Sequence, residues 1–187
     1  AKARKVNNCE SEQASPGCNV KVRYLAQVLR IWAPEEVYAQ TVLAYKLIKA
    51  DPRIVGLNFV APEDHPIALR DYSMHMEFIR EIGTMFPEQT RGITLHSGEL
   101  ALGLVPPEHL GWHSTEAIEV AGARRVGHAV DIAHTPDLYR LLKKMAEDEI
   151  MVEINLTSND VILGIKYPYH PFELYREYGV PMALSTD

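Results

Sequence analysis

The chain has 187 residues, enough for one sizeable hydrophobic core. Its 47% hydrophobic and 24% charged composition is that of an ordinary globular protein. The net charge of −6, from 19 basic and 25 acidic residues, argues against nucleic acid or a strongly acidic substrate as the default partner. No apolar run reaches the length of a membrane span.

Residues 1–19 are polar and read as the tail of a helix followed by a loop, a leader set apart from residues 20–187. They contain no apolar run that would serve as a secretory signal. Both cysteines, Cys9 and Cys18, lie here. Two thiols without a companion pair are a weak zinc pattern, and free thiols or a local disulfide both fit. Free thiols leave the cytoplasm as the default, whereas a disulfide would point to the periplasm or to secretion.

A rhythm of strands and helices follows. Short runs rich in β-branched residues begin near Val20 (VKVRYLAQVL), Ile54 (IVGLNFVA), Ile93 (ITLHSGE), Arg125 (RVGHAV), Ile150 (IMVEINL) and Pro181 (PMALSTD), each of strand length. Between them the pattern predicts a helix over 34–50, opened by Pro34, Glu35 and Glu36 as a helix N-terminus favours. Further helices are predicted over 71–82, over 114–122 with Ser114 as cap and Gly122 at the close, over 135–148 with Thr135 as cap, and over 171–179.

The repeat of about 30 residues is that of one strand-plus-helix unit. It predicts a parallel sheet covered by helices, either open and doubly wound or closed as a (β/α)₈ barrel. No glycine-rich dinucleotide or phosphate loop follows a strand, which argues against a nucleotide-binding domain. Six units are visible where a barrel needs eight. The expectation is an incomplete (β/α)₈ TIM-type barrel over residues 20–187, lacking about the first two units.

In such a barrel the chemistry sits at the C-terminal ends of the strands. The third run ends in His96-Ser97-Gly98-Glu99, the fourth in Gly127-His128 and the last in Ser185-Thr186-Asp187. Two imidazoles and two carboxylates on one rim are ordinary material for a divalent metal, an activated water and a proton donor.

These segments resemble those of the adenosine deaminase family. T-L-H-S-G-E (94–99) is similar to its T-[VL]-H-A-G-E, R-V-G-H-A (125–129) to its R-[IV]-G-H-G, L-T-S-N (156–159) to a segment of the bacterial enzymes, and L-S-T-D (184–187) to its [NS]-T-D-D. The resemblance runs from about Val20 to Asp187. It implies zinc-dependent hydrolytic deamination of adenosine or a related aminopurine nucleoside, with one Zn²⁺ per site. His96 and Asp187 would be metal ligands, Glu99 the acid that protonates purine N1, and His128 the residue that orients and polarises the water. Leu57–Ala61 aligns with the family's D-L-A-G, so the N–H of Ala61 would bind the purine.

Departures are also visible. The family's H-x-H ligand pair has no match, because His75 sits in M-H-M on a predicted helix. Asn58, Ala61 and Pro62 replace the usual D-L-A-G-D. With two ligands identified, this chain by itself is expected not to be a competent deaminase. The alternatives are a deaminase of another aminated purine, such as adenine or a modified nucleoside, and a non-catalytic purine-binding barrel. The expected partner is a small purine nucleoside, with no nucleic acid or membrane, and a homo-oligomer is admitted. His65, His109, His113, His134 and His170 read as structural, and the loop 103–113 as a candidate cover for the pocket.

Overall fold

In the computed structural model, residues 2–11 and 15–187 are described. Strand β1 (Tyr24–Leu29) pairs in parallel with β2 (Ile54–Val60). Strands β3 (Thr94–Ser97), β4 (Arg125–His128), β5 (Met151–Ile154) and β6 (Met182–Leu184) form a second parallel sheet in chain order. A parallel bridge between Leu57 and Ile93 joins the two sheets, so the strands follow one another in sequence order as the units of a partial (β/α) barrel.

That seam depends on two glycines. A methyl group on Gly56 would lie 1.8 Å from the Gly92 carbonyl oxygen, and one on Gly92 would lie 1.8 Å from that of Val55. Only hydrogen at both positions lets β2 and β3 approach.

The helices cover the outer face. In α2 (Pro34–Ala50), Glu36 reaches back to accept the Ala33 N–H at 3.3 Å, and Val37, Thr41, Ala44 and Tyr45 are buried at helical spacing. In α4 (Tyr72–Met85), Tyr72, His75, Met76, Ile79, Ile82 and Gly83 repeat every three to four residues on the buried face. Helix α6 (Leu138–Glu147) buries Leu141, Leu142 and Met145. These stripes meet strand residues Val28, Leu57, Phe59, Leu95, Val126, Val152 and Ile154 in one core.

Several boundaries differ from the sequence pattern. The first strand starts at Tyr24, because its partner β2 begins at Ile54, opposite Tyr24, and leaves Val20 and Val22 exposed. Helix α5 (His113–Glu119) starts one residue before Ser114, which is buried within it. Thr135 closes a 3₁₀ turn over Val130–His134 and is not the cap of α6. Two further helices, α3 (Pro66–Arg70) and α7 (Leu156–Leu163), carry no apolar stripe that would announce them. The short α1 (Lys2–Val6) lies in the segment expected to hold the tail of a helix. The predicted 171–179 helix is α8 (Phe172–Glu177). Of the two cysteine readings, the structure shows the disulfide, Cys9–Cys18. Among the described residues no helix is long and apolar enough to cross a membrane.

Candidate functional site

Parallel register brings the two strand-end histidines together. Ser97 pairs with His128 and His96 with Gly127, which puts the imidazoles of His96 and His128 on one rim with ring centroids 5.2 Å apart. Asp187 follows β6 onto the same rim. Its Oδ1 lies 4.0 Å from His96 Nε2 and its Oδ2 lies 3.8 Å from His128 Nε2. Ligand atoms from His96, His128 and Asp187 all fall within 4.8 Å of one another.

The donor set fits a divalent cation. Asn58 Oδ1 lies 3.2 Å from His96 Nδ1 and accepts its proton, which leaves the Nε2 lone pair facing Asp187. Burial, followed by the positive charge of Arg30, holds His96 below the usual imidazole range, so the neutral ring that a ligand needs is favoured. Ser158 Oγ donates to Asp187 Oδ2 at 2.7 Å and steadies the carboxylate.

Glu99 stands beside this set. Its Oε1 is buried without a hydrogen-bond partner and lies 3.4 Å from His128 Nδ1. Burial, then the negative charges of Asp187 and Glu63, push its carboxyl up to about 7. Burial, then the charge of His96, pushes His128 down to about 4, so that ring is neutral. The carboxamide nitrogens of Asn155 and Asn159 lie 3.3 and 2.9 Å from His128 Nδ1.

The backbone is turned sharply at these strand ends. Ala61 has φ 86°, His128 70° and Ala129 45°, left-handed values that are uncommon for residues with a Cβ and that cluster at functional sites. A cavity of about 340 Å³ is lined by Ala61, Pro62, Glu63, Asp64, His96, Glu99, Leu104, Ile162 and Asp187. Of the residues assigned site roles from the sequence, Ala61, His96, Glu99 and Asp187 border it, and His128 lies against Glu99 and Asp187. The 103–113 loop contributes Leu104.

Four positions were not legible as part of the site. Asn58 had appeared only as a departure from a motif, yet it orients His96. Asn155 and Asn159 border or belong to the L-T-S-N segment, whose function was not assigned. Glu63 had no signal at all. Its carboxylate is fully buried and accepts the N–H groups of Gly98 and Glu99, both at 2.9 Å.

A parallel barrel rim carrying converging His/His/Asp ligand atoms and a carboxyl raised toward neutrality has the groups to hold a divalent cation and to pass a proton. The chain matches the family model described as "Adenosine deaminase" over residues 4–187, and it belongs to that family. It is 27% identical over 170 residues to a protein of Rhizobium rhizogenes named adenine deaminase, covering 90% of this chain and 46% of that one. It is 27% identical over 144 residues to an adenosine deaminase of Clostridium perfringens, covering 76% and 39%. The crystal structure of an adenine deaminase from Arthrobacter aurescens superposes with a TM-score of 0.63 at 16% identity, over 88% of this chain and 44% of that one, and shares the fold. The chain thus spans less than half the length of these relatives.

Proposed function

We propose that this chain carries the acid and part of the metal site of a zinc-dependent hydrolase that deaminates adenosine or a related aminopurine nucleoside, giving the oxo product and ammonia. The observation that carries this reading is Glu99: a partly buried carboxyl raised to about 7, unpaired at Oε1, in the same cavity as the His96/Asp187 donors.

Amino groups on an intact purine are poor leaving groups. Glu99, holding its proton near neutral pH, donates it to ring N1 and makes C6 electrophilic. His96 and Asp187 would hold the cation, which when bound supplies a Lewis acid and makes a water more acidic. His128 orients and polarises the attacking water. The N–H of Ala61, a residue that lines the cavity, would hold the purine edge. Water oxygen bonds to C6, and the proton the water loses passes to the amino nitrogen. The C6–N bond then breaks and ammonia leaves. Loss of the remaining hydroxyl proton gives the C6 oxo product with N1 protonated and restores the acid form of Glu99.

Free adenine is kept as a second substrate reading, because two of the similar proteins bear the name adenine deaminase. The test is ammonia release by the full-length protein from adenosine, adenine and modified nucleosides, before and after chelation and zinc return. Deamination that is lost and then restored is expected. No ammonia from any aminated purine would overturn the reading.

A further inference from the structure

A line of hydrogen bonds runs from the start of α8 to His128, and its polarity is fixed at one end. The backbone N–H of Phe172 donates to His170 Nδ1 at 3.1 Å. A peptide N–H can only donate, so Nδ1 of His170 must accept, and the neutral ring carries its proton on Nε2. His170 is 5% exposed, and burial keeps its imidazole below the usual range and hence neutral.

His170 Nε2 lies 3.1 Å from Asn159 Oδ1. A donor there fixes the buried Asn159 carboxamide with its oxygen toward α8 and its nitrogen toward β4. Asn159 Nδ2 in turn lies 2.9 Å from His128 Nδ1. Receiving that N–H makes Nδ1 of His128 an acceptor and leaves its proton on Nε2, 3.8 Å from Asp187 Oδ2. Asn155 Nδ2 lies 3.3 Å from both ring nitrogens and does not discriminate between them.

We propose that His170 and Asn159 are positioning residues which fix the tautomer of His128, with Nδ1 as acceptor and Nε2 as donor, through a relay that starts at the Phe172 N–H. An imidazole with its proton on Nε2 cannot use that nitrogen as a ligand. The relay therefore presents His128 to the reacting water as a hydrogen-bond donor, and His96 and Asp187 remain the ligands on this rim. The catalytic meaning of the relay rests on the deaminase reading above; the tautomer itself does not.

The test uses the full-length protein, [¹⁵N]His-labelled, chelated free of metal and held just below neutral pH, so that Glu99, whose Oε1 lies 3.4 Å from His128 Nδ1, keeps its proton. The ¹⁵N shifts and proton couplings of His128 read its tautomer directly, and kcat and KM are measured after zinc return. Wild type should show the proton on Nε2. Asn159→Asp puts an acceptor where the donor stood, so the His128 proton should move to Nδ1. His170→Phe should give a mixture of tautomers and lower kcat by about 10- to 100-fold with KM little changed. His170→Gln keeps an N–H toward Asn159 and should restore much of both. Should His170→Phe fail to fold, the contrast between His170→Gln and Asn159→Asp carries the test. A wild-type proton on Nδ1, or an unchanged tautomer in Asn159→Asp, would overturn the relay. The expected tautomers in a protein that deaminates no purine would instead overturn the proposed function and leave the relay standing.

Discussion

Glu63 Oε1 lies 2.6 Å from His113 Nδ1, and neither side chain is exposed. Burial alone would raise the Glu63 carboxyl, but the hydrogen bond and charge of His113, the charge of Arg30 and the Glu99 N–H outweigh it and hold the group at about 2. The imidazole is itself clamped. Tyr72 stacks on it at 3.8 Å and Trp112 meets its face edge-on at 4.2 Å. Because Glu63 also accepts the N–H groups of Gly98 and Glu99, it ties the loop after β2 to the loop that carries the proposed acid.

Glu63→Gln should therefore cost both stability and activity. A carboxamide has one acceptor oxygen for two peptide N–H groups, and its NH₂ would face a donor. Leaving buried hydrogen-bond partners unsatisfied in this way costs about 1–3 kcal/mol. Urea unfolding reads the stability and turnover reads the alignment of Glu99. A loss under about 1 kcal/mol, within the range of an exposed ion pair, would mean that the carboxylate is not what holds the loop.

Glu99→Gln keeps the shape of the side chain but cannot deliver a proton to N1. Turnover should fall by about 10²- to 10⁴-fold, the usual worth of a general acid, with zinc content nearly intact. His96→Ala should instead lower zinc content, read by metal analysis of the dialysed protein. Retained deamination in the Glu99 variant would remove that residue from the mechanism.

The strand-end residues were legible because their chemistry and their place coincide: His96, Glu99, His128 and Asp187 are polar groups at the ends of apolar runs. The residues that orient them were not. Asn58 is visible only through the parallel register that sets β2 beside β3, and Asn159 only through α7, whose sequence has no apolar stripe. Glu63 and His113 are 50 residues apart and meet only when the loop after β2 closes on the start of α5. Periodicity reports burial along one element; it carries no information about which polar groups from different elements will pair.

The β2–β3 seam gives a prediction about the fold. In Gly56→Ala the new methyl would overlap the Gly92 carbonyl at 1.8 Å, a clash with backbone that no rotamer relieves. The strands must separate, at a cost of about 1–3 kcal/mol or more. The same movement would draw Asn58 away from His96, since both contacts cross this seam. Zinc affinity should therefore drop along with the melting temperature. A variant that melts lower yet binds zinc as before would separate the seam from the site.

Acid sensitivity should have one traceable source away from the site. His75 is buried on α4 between Phe59 and Phe78, and its Nε2 has no partner. Burial is the main force that lowers its imidazole to about 4; Arg30 and Arg70 act in the same direction and Asp71 opposes them. In the unfolded chain the group titrates near its ordinary value of 6.5. Between these values the unfolded state binds more protons than the folded one, so stability falls as pH drops from 6.5 toward 4 and is fully present above 6.5. Carrying an imidazole from 6.5 to about 4 corresponds to about 3 kcal/mol. Asp131, raised to about 6 mainly by burial, works in the opposite sense, gaining stability as pH falls through that value, so the net slope of the wild type is a difference. His75→Phe isolates the histidine. A phenyl ring can occupy the same aromatic gap, gives up no hydrogen bond at Nε2, and does not titrate. Urea midpoints measured from neutral pH down to 4 should converge for the two proteins at neutrality, apart from a constant packing offset, and the variant should lose less stability toward the acid end. Parallel curves over the whole range would show that His75 is protonated in the folded protein at no cost.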